Sequence, residues 1–96
     1  MITTESSKTN ALRVAKLLIQ NKIAACVSIK QIFSIYEWED DIEETKEFEI
    51  IIKSKPEFKD DLIDFLHKIS TYDVPQIIYK KYHGEVKYYD WLNKAI

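Results

Sequence analysis

The feature that most constrains this chain is a pair of strand-like arms too long for the domain that carries them. Ile23-Ala24-Ala25-Cys26-Val27 enters the first arm and Phe33 to Trp38 ends it. The acidic corner Glu39-Asp40-Asp41 turns the chain, and Phe48-Glu49-Ile50-Ile51-Ile52 brings it back. Each arm is about twice the usual strand length of roughly 5–6 residues. In a chain of 96 residues there is one domain's worth of core, so the far end of such a hairpin has nothing of its own to cover it. The expectation is a single domain, residues 1–96, whose hairpin packs on other copies of the chain.

Parity sharpens that reading. Ala25, Val27, Ile29, Phe33 and Ile35 share one face, broken only at Gln31, as a covered strand face should. The opposite face runs Cys26, Ser28, Lys30, Ile32, Ser34, Tyr36, Trp38. It starts small and polar and ends apolar, so it is wet near its start and covered at its end. The return arm sets Ile42, Phe48, Ile50 and Ile52 against Glu43, Glu47, Glu49 and Lys53.

Helical periods flank the hairpin. Ser7 caps a helix over Lys8–Lys22 whose apolar positions Ala11, Leu12, Ala15, Leu18 and Ile19 recur at 3.6-residue spacing. Ser54-Lys55-Pro56-Glu57 has the form of a capping box, opening a second helix to about Ser70. Val74 to Tyr82 is a further strand with Pro75 near its start, His83-Gly84 a turn, and Val86 to Ala95 a short last helix. The first six elements give strand, helix, strand, strand, helix, strand. That is an α+β, ferredoxin-like βαββαβ sandwich with an extended hairpin and a short C-terminal helix.

Charge and composition exclude several function classes. Fourteen basic and sixteen acidic residues give a net charge of −2 with no basic stripe, which argues against a nucleic-acid partner. No apolar run approaches the ~20 residues of a membrane span, and none precedes Thr3-Thr4 as a signal peptide would. Cys26 is the only cysteine, which fits a reducing, cytoplasmic setting. No Ser-His-Asp or Cys-His arrangement and no phosphate-cradling glycine loop stands out, so no enzyme is read here.

In order and spacing, several segments resemble the divalent-cation tolerance (CutA-like) family over nearly the full length. They are Thr3-Thr4, Ile23 to Val27, Ile35-Tyr36-x-Trp38, Glu43-Glu44 running into Phe48 to Lys53, Tyr72-x-Val74-Pro75-x-Ile77, and Tyr89-x-Trp91-Leu92. The resemblance implies a trimeric ferredoxin-like protein whose hairpins cross between subunits, and a role in tolerance of copper and other divalent cations. Three departures stand beside it. Only Met1-Ile2 precede the threonine pair, so the first strand is expected to be short or to start late. Ser70 stands where the family often has histidine, and Asp40 stands where it has glycine.

Candidate metal ligands are Cys26, a soft donor suited to Cu(I) or zinc, and Glu37 at the strand end. Tyr36, Trp38, Lys53 and Tyr72 are candidates for a ligand cleft between subunits. His67 and His83 have no partner at ligand spacing. The acidic turn from Glu37 to Glu44 matches no calcium loop and reads as a solvated tip. Copper or another divalent cation is the ion the resemblance implies. The leading expectation is a non-enzymatic homotrimer that binds such cations weakly at subunit clefts. The alternatives are a signalling trimer with a small organic or anionic ligand in those clefts, and a protein-interaction scaffold.

Overall fold

The computed structural model describes residues 1–96. Its elements are β1 (Ile2–Glu5), α1 (Lys8–Gln20), β2 (Cys26–Trp38), β3 (Asp41–Lys53), a single 3-10 turn at Pro56–Phe58, α2 (Lys59–Ile69) and α3 (Val86–Ala95). The three strands form one antiparallel sheet in the order β1-β3-β2, an α+β arrangement.

The hairpin is as long as its sequence implies. β2 and β3 are 13 residues each and pair without interruption from Cys26↔Lys53 to Trp38↔Asp41. Gln31 breaks the apolar pattern but not the ladder, since it pairs with Phe48. The corner holds two residues rather than three. Glu39 and Asp40 both take positive φ, 50° and 68°, the geometry of a tight hairpin turn that follows the strand twist. An aspartate tolerates that region better than most side chains, so Asp40 serves where a glycine would be expected.

The core occupies only the near end. Ala11, Val14 and Leu18 of α1 and Leu62 and Leu66 of α2 pack on Ile50 and Ile52 of β3, with Ala24 beside them. Val27, Ile29 and Phe48 complete the floor half-buried. Only 11 of 96 residues are buried. The Cα radius of gyration is 14.3 Å and the long axis 47 Å, against about 12.5 Å for an ordinary chain of this size. Past the helices the same sheet face runs on uncovered: Phe33 is 75% exposed and Ile42 79%.

Four local expectations change. The apolar stripe of α1 is rotated: Val14 is buried, while Leu12 and Ile19 stand half in solvent. The helix also stops at Gln20, with Asn21 as C-cap and Lys22 at φ 56°. The capping box does not form, because the Ser54 hydroxyl donates to the Ile23 carbonyl at 2.6 Å and ties the start of the hairpin to its end. Lys55 takes the cap position instead. By contrast Ser7 caps α1 as expected, accepting from the Asn10 amide at 3.1 Å.

The largest change is at Val74 to Tyr82, which is not a strand here. It meets the sheet at one bridge, where Ile2 and Ile78 exchange N–H···O bonds of 2.8 and 3.1 Å. β1 is four residues long, and the antiparallel register carries Lys80–Tyr82 past its Ile2 end. On the other side Pro75 has no N–H to give. α3 forms over the expected residues, with Glu85 as cap, yet none of its residues is buried. Tyr82, Tyr88, Tyr89 and Trp91 are all exposed.

Candidate functional site

The hairpin register decides which candidate residues meet. Even-numbered residues of β2 and odd-numbered residues of β3 share the sheet face away from the helices. Cys26 therefore lies directly opposite Lys53. The Lys53 ammonium donates to the Ser28 hydroxyl and comes within 3.9 Å of the Cys26 sulfur. Cys26 is free and half-buried. Glu37 is on the other face and eleven residues further along β2, roughly 36 Å away at strand spacing. The two metal candidates therefore do not converge within one chain.

Nor does any other set of donors. No group of three or more His, Cys, Asp or Glu side chains is placed to hold a metal ion. A single thiol beside a fixed ammonium is a poor cation site, since the positive charge of Lys53 opposes a second one. One chain alone does not fit a resident metal.

The aromatic candidates do better. Tyr36 and Trp38 are two residues apart on the same face as Cys26, at the far end of the hairpin. Tyr72 reaches that face from the segment after α2, and its hydroxyl donates to Glu47 Oε2 at 2.9 Å. Burial, the bond to Glu47 and the nearby charges of Glu47, Glu5 and Tyr36 push the Tyr72 phenol above the usual tyrosine range. The phenol thus stays a hydrogen-bond donor. Tyr72 and Glu47 form an aromatic-carboxylate pair at mid-hairpin, with Tyr36 further out along the same face and Lys53 and Cys26 as a separate polar pair near the hairpin base.

Two residues of this region were not candidates from sequence. Glu47 belongs to an alternating acidic face and carries no signal of its own; only the hairpin register puts it within reach of Tyr72. Glu5 follows the threonine pair and is 1% exposed. It accepts from the Ser70 hydroxyl at 3.2 Å, the Thr71 amide at 3.3 Å and the Thr71 hydroxyl at 2.7 Å. An acidic residue in the covered parity of β1 is the one sequence sign that could have drawn attention to it.

No helix is long and apolar enough to cross a membrane. The family pattern of the CutA1 divalent ion tolerance proteins matches residues 1–95. Protein CutA of Homo sapiens is 34% identical over 87 residues, 88% of this chain and 49% of that protein. The divalent-cation tolerance protein CutA of Archaeoglobus fulgidus is 33% identical over 94 residues, 97% of this chain and 92% of that one. The chain thus spans about half the length of the human relative and nearly all of the archaeal one. The crystal structure of the divalent ion tolerance protein CutA1 from Ehrlichia chaffeensis superposes with a TM-score of 0.92 at 31% identity, covering 98% of this chain and 90% of that one.

Proposed function

The chain belongs to the CutA1 divalent ion tolerance family, and from that premise we propose that it acts in cation tolerance as a non-enzymatic homotrimer, meeting the ion weakly at clefts between copies. The observation that carries this reading is the uncovered hairpin. Phe33, Ile35 and Ile42 are exposed on one face and Tyr36 and Trp38 on the other, so both faces of the far half offer apolar surface. Such a patch marks an interaction site. The neighbouring copy supplies the partner, because each copy also leaves Val74 to Tyr82 joined to the sheet by a single bridge and α3 with no buried residue. Charge fits too: Lys80 and Lys81 on the open segment complement the acidic run from Glu37 to Glu44.

Sharing also supplies what one chain lacks. With Cys26 and Glu37 at opposite ends of the hairpin, a cation is held only by donors from different copies. The ion is cargo, copper or another divalent cation, and the shared site is shallow and broad in selectivity. The protein works in the cytoplasm, where the lone Cys26 remains a thiol.

Calorimetry with Cu⁺, Cu²⁺ and Zn²⁺ tests the ligands. Cys26→Ser is expected to weaken Cu⁺ binding about tenfold or more, with Glu37→Gln affecting the harder ions, while the mass of the assembly stays constant. Unchanged binding in Cys26→Ser removes the thiol from the site. The pairing of Tyr72 with Glu47 beside Tyr36 favours a second reading, a small cationic or hydrogen-bonding ligand in the cleft. A thermal-shift screen in which one class of organic molecule raises Tm, and metals do not, would select it.

A further inference from the structure

The buried carboxylate of Glu5 has no cationic partner; the one ion pair of the chain is Lys30 with Glu49, 3.6 Å apart. A carboxylate taken out of water needs strong donors. All of those it has come from two consecutive residues, Ser70 and Thr71, at the end of α2. Ser70 adds a further link, since its hydroxyl also accepts from the Tyr72 amide at 3.1 Å. Hydrogen bonds thus run from the Tyr72 backbone through Ser70 to Glu5.

The two ends of this linkage lie on opposite sides of the sheet. Glu5 pairs with Phe48 and Thr3 with Ile50, so the Glu5 side chain shares the helix-covered face. Glu47, one residue before Phe48, points to the other face, and it is Glu47 that receives the Tyr72 hydroxyl. The chain therefore wraps around the β1 edge, held by one carboxylate on each side. From Asp73 to Ile77 no residue makes a hydrogen bond within the chain, and the next tie is the Ile2–Ile78 bridge.

We propose that Ser70–Tyr72 is a strap fastened by Glu5, and that Glu5 is the positioning residue that sets Tyr72 against Glu47 across the sheet edge. Through the strap, a group buried under the helices governs both the Tyr72–Glu47 contact and the order of the open segment from Val74 to Ile78. The strap is a property of the single chain and stands whether or not copies assemble or bind metal.

Hydrogen–deuterium exchange on the whole protein tests this, using Glu5→Ala, Glu5→Gln and Thr71→Val. Thr71 is exposed, so its replacement keeps the fold and decides the matter even where Glu5→Ala fails to fold. Exchange at the hydrogen-bonded amides of Thr71, Tyr72 and Ile78 is expected to rise about tenfold in Glu5→Ala and about threefold in Thr71→Val. Glu5→Gln falls between wild type and Glu5→Ala, because an amide oxygen still accepts. The amides of α1 and the β2–β3 ladder hold their wild-type rates.

A spectroscopic signature accompanies this. In alkaline absorbance titrations, with Tyr72→Phe as the subtracted reference, Tyr72 resists ionisation in wild type and ionises at lower pH once Glu5 or Thr71 is replaced. Exchange that is unchanged at Thr71, Tyr72 and Ile78 overturns the proposal. So does a rise of equal size across β2 and β3, or a Tyr72 titration indifferent to both replacements.

Discussion

Phe33→Lys is expected to leave a folded chain of 11.4 kDa that no longer assembles. In the single chain Phe33 is 75% exposed and lies across from Lys46, beyond the reach of the helices. A lysine there faces Lys46 and costs the isolated fold up to about 1 kcal/mol by like-charge repulsion, which the solvent on this open face moderates. At an interface between copies the same ammonium is stripped of water without a partner. That costs several kcal/mol, or more than a hundredfold in association. Circular dichroism should keep its wild-type shape while light scattering reports the single chain. Trp38→Ala acts in the same direction but more mildly, by removing an aromatic contact without burying a charge. An assembled mass that survives Phe33→Lys at micromolar concentration would show that the far half of the hairpin is not the contact.

The second large effect lies in the core. Ile50 is fully buried, pairs with Thr3 on one side and Ile29 on the other, and lies beneath the helices. Ile50→Ala removes its contacts with both layers and leaves a void the sheet cannot close, at a cost of about 2–5 kcal/mol. Ile42→Ala, made on the exposed stretch of the same strand face, should cost under about 0.5 kcal/mol. Both are read by urea unfolding in the Phe33→Lys background, so that assembly does not contribute. The expected sign is a lower midpoint at constant m for Ile50→Ala alone. Equal costs at the two positions would mean that the core does not sit at the near end.

The hairpin, α1 and α3 were legible in the sequence because each depends on local period or on a local cap. Alternation over Cys26–Trp38 and Asp41–Lys53 survives any partner, and Ser7 needs only the amide three residues on. The rest depended on distant groups. Ser54 has a choice between capping its own helix and the Ile23 carbonyl across the hairpin, and no local rule ranks those. The face that α1 buries is set by where the sheet lies, which brings in Val14 and releases Leu12 and Ile19. Val74 to Tyr82 has strand composition but finds only one rung on the short β1.

The candidate site divides the same way. The pairing of Cys26 with Lys53 follows from the hairpin turn alone. With a two-residue corner the two are opposite; with the three-residue corner Glu39-Asp40-Asp41, Lys53 would face Val27. A slip of one residue changes every cross-strand neighbour. Tyr72 was singled out in the sequence, whereas its partner Glu47 and the strap residue Glu5 were not. Each is one acid among sixteen, and what distinguishes them is a contact made 25 and 66 residues away in sequence.

The far half of the hairpin extends beyond anything one chain lays over it. Light scattering of the wild-type protein at micromolar concentration measures this most directly. A mass about three times 11.4 kDa, unchanged on tenfold dilution, is the predicted result. A folded protein that scatters as one chain would contradict it, and the shared cation clefts would have no structure to form in.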